Sequence, residues 1–207
     1  MNASRPHALV LFVCVLLLTA FIDGFRAPVL ASDPASATAL VIHGGAGTIV
    51  KGQMTPELEE EYRLELEEAL LAGQAILQSG GSSLDAVVAV IKILEDSPLF
   101  NAGKGAVFTA EGRNEMDAAI MDGATGKAGA VAFVTRVKNP ITAARAVMDH
   151  TEHVMLAGAG ADTFAVAQGL ELAEAEYFHT DRRWKQLQEA QEKENTTTTG
   201  SLSHDTR

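Results

Sequence analysis

Apolar residues in this chain keep a helical spacing up to Pro98 and a spacing of two from Ala106 onward, so the chain must lay helices against a sheet. Leu58, Tyr62, Leu66, Ala69, Gly73 and Ile76 make one face of a first helix. Thr55 caps it, Pro56 and the acids Glu57, Glu59, Glu60 and Glu61 suit its first turn, and Gly80-Gly81 ends it. Ser82 or Ser83 caps a second helix carrying Ala86, Val87, Val90, Ile91 and Leu94, and Pro98 stops it. Residues 106–109, 114–121 and 128–135 read as short strands. Glu111-Gly112 and Asp122-Gly123-Ala124-Thr125-Gly126 separate them with hairpin turns. A helix from Asn139-Pro140 through Met148, a buried strand at 154–157 and a helix from Gly158-Ala159-Gly160 to near Gly169 follow, with order expected to about Leu187. The run 38–43, stopping at Gly44-Gly45-Ala46-Gly47, reads as a buried first strand feeding a glycine loop. The fold class expected is α+β, with a mixed or largely antiparallel sheet.

The ends are read apart from the domain. Arg5 precedes an apolar run at 8–21, and Val29-Leu30-Ala31 offers a small-residue cleavage site, so residues 1–31 read as a signal peptide. The run is shorter than the ~20 residues a helix needs to span a bilayer, which favours cleavage over an anchor. The expected destination is secreted or periplasmic, with no membrane contact after cleavage. Cys14, the single cysteine, lies inside that run, so residues 32–207 hold no disulfide framework and depend on packing or a partner. The formal net charge is −11 and no Lys/Arg cluster interrupts the acidity, which excludes nucleic acid as the partner. Residues 188–207 turn charged and then threonine-rich and read as a flexible linker.

Few residues carry chemistry by their own pattern. His43-Gly44-Gly45-Ala46-Gly47 admits three readings: an esterase oxyanion loop, a phosphate or dinucleotide loop, or glycines that let two backbones approach. The chain has no Gly-x-Ser-x-Gly elbow, and neither phosphate-loop pattern can be placed on this run, on Gly103-Lys104-Gly105 or on Gly158-Ala159-Gly160. His150 and His153 lie at a helix end, where basic groups suit the dipole, and lack further metal ligands at useful spacing. Asp117 and Asp122 fall on opposite strand faces, with Asp122 read as a turn residue. The loop 94–105 must place many carbonyls, and a hard cation such as sodium is one way to satisfy them, an ordinary helix-to-strand turn the other. No complete nucleophile, base and orienter set emerges from residues 32–207.

Several segments together resemble the plant-type asparaginase and isoaspartyl peptidase family. They are residues 39–47, 94–109, 115–123 and 127–131, then Asn139-Pro140, Ala143-Ala144-Arg145, Val147-Met148, His153-Val154-Met155, Gly158 and Tyr177-Phe178 with Thr180. The resemblance covers nearly all of 38–187. It implies an N-terminal-nucleophile hydrolase with a four-layer αββα sandwich, made as a precursor that cuts itself, of which residues 32–187 match the α-subunit half. It implies a β subunit beginning at a threonine that attacks the amide while its own α-amine acts as base. Asp205 and Thr206 stand at the matching autocleavage junction, with Thr206 at the nucleophile position and Arg207 where the family has valine.

The resemblance further implies that main-chain oxygens of Leu94, Glu95, Ser97, Phe100, Ala102 and Lys104 hold a structural sodium ion, with no organic cofactor. Asn101 would support the active site, and the loop of His43, Gly44, Gly45, Ala46 and Gly47 would affect processing. Implied partners are the β subunit, a second αβ unit and a small amide or dipeptide substrate. Two other readings stand beside it: a truncated, inactive fragment acting at most as a binding module, and a carboxylesterase-like hydrolase.

Overall fold

The computed structural model describes residues 38–45, 52 and 54–202. Residues 1–31, which read as a signal peptide, and Ala46, Gly47, Asp205, Thr206 and Arg207 lie outside the described residues. The chain divides into two compact units, Met1–Ala39 and Leu40–Arg207, and the elements below belong to the second.

Helix α1 (Pro56–Gln78) begins where Leu58 N–H donates to Thr55 Oγ1, and α2 (Ser83–Asp96) where Asp85 N–H donates to Ser82 Oγ. Both caps are those the sequence marks, each satisfying an otherwise orphan amide. The helices pack closely at Gly73, where a Cβ would fall 2.6 Å from both Leu40 Cδ2 and Val90 Cγ2. Tyr62, Ala69, Val90, Leu94 and Phe100 form the core between them, with Leu40 and Ile42 packed against it.

Strands β1 (Met116–Met121) and β2 (Ala128–Val134) form the antiparallel hairpin. Asp122 makes its turn, its carboxylate accepting from Ala124 N–H and Thr125 Oγ1, which hold its pKa below the ordinary value. Helix α3 (Pro140–His150) then carries the chain to β3 (Met155–Ala157), which pairs parallel to β2, so the sheet is mixed in the order β1-β2-β3. Helix α3 lies on one sheet face so tightly that a Cβ on Gly129 would sit 2.2 Å from Ala144 O. Met116, Ile120, Val131, Val134, Ala143 and Val147 are buried in that layer. Helices α4 (Gly158–Ala167), α5 (Ala175–Phe178) and α6 (Asp181–Leu202) complete the unit.

β2 carries an irregularity. Pairing shifts between Met116 and Ala118, and Phe133 adopts φ +55°, a left-handed conformation that is costly outside glycine. Asp117 compensates, its Oδ1 accepting the Phe133 N–H at 2.8 Å. This gives Asp117 a structural task on the face opposite the core.

That opposite face is apolar and poorly covered. Ala119, Met121, Ala132, Phe133, Met155 and Ala157 project from it, with Met121 65% and Met155 58% exposed.

Three segments differ from expectation. The run 38–43 is extended but pairs with none of the three strands; Leu40 and Ile42 turn to the helical core and Val41 is 89% exposed. Alternation is a local property and survives, whereas a ladder needs a neighbouring strand. Residues 106–109 form only one bridge, Phe108 to Asn114. Helix α6 continues to Leu202 through most of 188–207, the stretch read as a flexible linker; the glutamines, glutamates and lysines up to Glu194 are good helix formers.

Candidate functional site

Helix α2 ends at Asp96, and the chain folds back through 97–102 into a single 3-10 turn, Gly103–Gly105. The return is so close that a Cβ on Gly103 would lie 2.2 Å from Glu95 O, and one on Gly105 2.1 Å from Phe100 O. Side chains from distant elements tie the loop down. Leu99 O accepts from Tyr62 Oη at 2.8 Å and from Arg182 Nη2 at 2.9 Å, and Gly105 O accepts from Arg183 Nε at 2.7 Å. Asn101 Oδ1 accepts from Val107 N–H, while Asn114 Nδ2 donates to Ala106 O and Val107 O. Tyr62→Phe removes one of these bonds and keeps the edge-to-face contact with Phe100, so a loss of about 1 kcal/mol is expected in a denaturant melt.

The acids that open the loop are structural in their contacts. Glu95 is 3% exposed; its Oε1 accepts from Ile141 N–H at the start of α3, and its Oε2 has no partner among the described residues. Burial pushes its pKa up to about 8, opposed by the Ile141 amide and the Asn139 side chain. Asp96 Oδ1 accepts from Asn139 Nδ2 and Tyr177 Oη, both at 3.0 Å, and burial with that acid raises the Tyr177 pKa. Lys104 and Lys138 flank the Tyr177 ring at 5.5 and 5.7 Å from its centroid. Glu95→Ala orphans the Ile141 amide and opens a cavity, for an expected loss of about 3 kcal/mol. Glu95→Gln keeps the acceptor and the volume, and its melt is expected within about 1 kcal/mol of the parent.

Between this loop and the glycine segment lies a cavity of about 290 Å³, lined among others by His43, Gly44, Gly45, Asn101, Ala102 and Arg183. It brings together the described part of the glycine run, His43, Gly44 and Gly45, with Asn101 from the cation-loop region. Gly45 N–H donates to His43 Nδ1 at 3.1 Å. Arg183 is 2% exposed, and burial together with the adjacent Arg182 cation lowers its pKa. Neither arginine has a carboxylate within ion-pair distance among the described residues. A larger cavity, about 410 Å³ beside Phe108, Asn114 and His179, contains none of the expected site residues.

Leu94 and Phe100 of the cation loop also line this cavity, whereas the two histidines considered as ligands stay apart from it. His150 pairs through Nδ1 with Gln168 Oε1 at the end of α3, and His153 is exposed. No group of three or more metal-ligating side chains occurs among the described residues, so a cation in the loop would depend on main-chain oxygens. Sequence reasoning missed Arg182 and Arg183. A signal existed: two cations in the first turn of a helix oppose its dipole and point to another task.

Comparison with known proteins gives a consistent set. The family described as asparaginase matches residues 36–206. An isoaspartyl peptidase of Salmonella typhimurium is 47% identical over 148 residues, 72% of this chain and 47% of that protein. A plant-type L-asparaginase of Pyrococcus abyssi is 52% identical over 156 residues, 75% of this chain and 48% of that protein. An isoaspartyl peptidase/L-asparaginase of Danio rerio is 45% identical over 149 residues, 70% of this chain and 46% of that protein. The chain spans about half the length of these curated relatives.

Proposed function

Because the chain belongs to the asparaginase family, we propose that it supplies the N-terminal half of an amidohydrolase acting on β-aspartyl peptides or on the side-chain amide of asparagine. The relatives named for those activities support the substrate class. The observation that carries the half-enzyme reading is the incomplete layering: one sheet face leaves Met121, Phe133 and Met155 exposed, and the extended run at 40–45 pairs with no strand among the described residues. An αββα sandwich would cover both with a second sheet from a β subunit. A dimer of such αβ units is the expected assembly.

The reaction would run through Thr206. Cleavage of the Asp205–Thr206 bond frees an α-amine that removes the proton from the threonine hydroxyl, which attacks the amide carbon and releases the amine product; water then cleaves the ester. The oxyanion donors and the groups that hold the substrate belong to the β subunit in this reading. The α half contributes shape: the glycine run and the tied-down loop would flank the junction.

A sodium ion fits that loop. Gly103 and Gly105 allow the backbone to fold over Glu95 O and Phe100 O at distances any side chain would block. Those oxygens, with the main-chain oxygens of Leu94, Ser97, Ala102 and Lys104, would hold the ion, which supplies charge to a cluster of carbonyl dipoles. The midpoint of the thermal melt is expected to rise in sodium chloride over choline chloride at equal ionic strength. Equal melts would count against the site.

Export follows from Arg5, the apolar run at 8–21 and the small residues before Ser32, which support a secreted or periplasmic enzyme. The test of function is a protein extended past Arg207 with the family's second half. Intact mass is expected to show two chains broken before Thr206, with release of aspartate from a β-aspartyl dipeptide. An intact single chain without turnover would favour the inactive-fragment reading.

A further inference from the structure

The cavity between the glycine segment and the loop is built from donors. Arg183 enters it from the first turn of α6 as an almost completely buried guanidinium. Its Nε is committed to Gly105 O and its Nη1 to Gln186 Oε1 at 2.9 Å, while Nη2 donates to no described residue and is not among the polar atoms buried without a partner, so it is the nitrogen left to meet whatever enters the cavity. Asn101 spends its Oδ1 on Val107 N–H, so its amide nitrogen keeps two donor hydrogens. His43 uses Nδ1 as acceptor for Gly45 N–H, which makes Nε2 the donor of that ring. Among the described residues no aspartate or glutamate lines the cavity, although the chain carries 27 acids against 16 lysines and arginines. Ile91, Leu94, Leu99 and Phe100 supply the remaining wall.

No carboxylate lies within ion-pair distance of this guanidinium among the described residues, and an anion that accepts from it would be held by a charge-assisted hydrogen bond. We propose that this cavity binds a small carboxylate, with Arg183 Nη2 and the Asn101 amide as its principal donors and the Ile91, Leu94, Leu99 and Phe100 wall receiving the short apolar part of the same molecule. A carboxylate has two oxygens in one plane, which suits a guanidinium nitrogen and an amide nitrogen acting together. The volume of about 290 Å³ admits a molecule of amino-acid size and no polymer. The side chains also favour an anion over the alternatives: a cation would meet the Arg183 guanidinium, and a neutral apolar ligand would offer Nη2 no acceptor.

One carboxylate source is a free small acid, such as the aspartate that the proposed reaction releases; another is an acidic side chain of the C-terminal half reaching into the cavity. The inference deepens the proposed function by naming a ligand class for the α half. Binding is read without hydrolysis, so its failure and the failure of the hydrolase reading remain distinguishable.

The test uses the 207-residue chain and, as a second arm, the extended protein, each with ¹⁵N-labelled arginine and glycine, titrated with propionate and with its neutral counterpart propionamide. In the chain, propionate is expected to shift the Arg183 guanidinium and the Gly44 and Gly45 amides saturably, and propionamide to leave them unmoved. Arg183→Lys is expected to weaken propionate roughly tenfold by removing the planar donor. Asn101→Asp, which keeps the acceptor for Val107 N–H and adds a negative charge to the cavity, is expected to weaken it at least tenfold. It keeps the proposal testable if Arg183→Lys does not fold. If the chain binds and the extended protein does not, with its Arg183 signal already at the bound position, the occupant is an internal carboxylate; if both bind, it is a free acid. Equal shifts with propionamide, no saturable shift in the chain, or unchanged affinity in Asn101→Asp would overturn the assignment.

Discussion

Gly105→Ala is expected to lower stability by about 3 kcal/mol, a fall of roughly 10 °C in melting temperature for a domain of this size. The added methyl would stand 2.1 Å from Phe100 O and 2.8 Å from Pro98 O, and both obstacles are backbone, which cannot rotate aside as a side chain can. Relief requires opening the loop. Opening it displaces Gly105 O from Arg183 Nε and strains the Leu99 O contacts to Tyr62 and Arg182. Gly112→Ala is the control, because Gly112 has φ +78° but its nearest obstacle is the Trp184 ring at 3.3 Å. It pays mainly left-handed strain, about 1 kcal/mol. Equal costs for the two variants would mean that the loop does not close as described.

Thr206→Ala in the extended protein is expected to abolish self-cleavage and to reduce amide hydrolysis by at least about 10³-fold, because nucleophile and base come from the same residue. Thr206→Ser keeps a hydroxyl and a future α-amine, so it should retain cleavage and measurable turnover. The pair separates chemistry from folding: an alanine variant that melts like the parent yet neither cleaves nor turns over locates the nucleophile. Undiminished hydrolysis in Thr206→Ala would require another nucleophile.

Local signals made most of the scaffold legible. Thr55 with Pro56 and Ser82 with Asp85 mark helix starts by satisfying amides within three residues, and Asp122 folds its own turn. Those interactions are encoded side by side in the chain. The run 38–43 reads as a buried strand because its β-branched and apolar residues are visible in sequence, while the presence of a pairing neighbour is not. The bulge at Phe133 depends on Asp117, 16 residues earlier on another strand, and α6 outran a composition read as linker.

The site divides the same way. His43, Gly44 and Gly45 stood out as a glycine-rich run and Asn101 through the family resemblance, and these four line one cavity. Arg183 reaches Gly105 across 78 residues, and no spacing rule links positions that far apart. Glu95 reads as an ordinary helix-end acid until the fold places it under α3.

Amide hydrogen exchange at Val41 and Ile42 tests most directly whether this chain is one half of a shared fold. No strand among the described residues pairs with those amides, so they should exchange rapidly in the chain alone and at least about 100-fold more slowly when the chain is co-expressed with the family's second half. Slow exchange in the 207-residue chain by itself, or rapid exchange that persists beside the second half, would contradict the account.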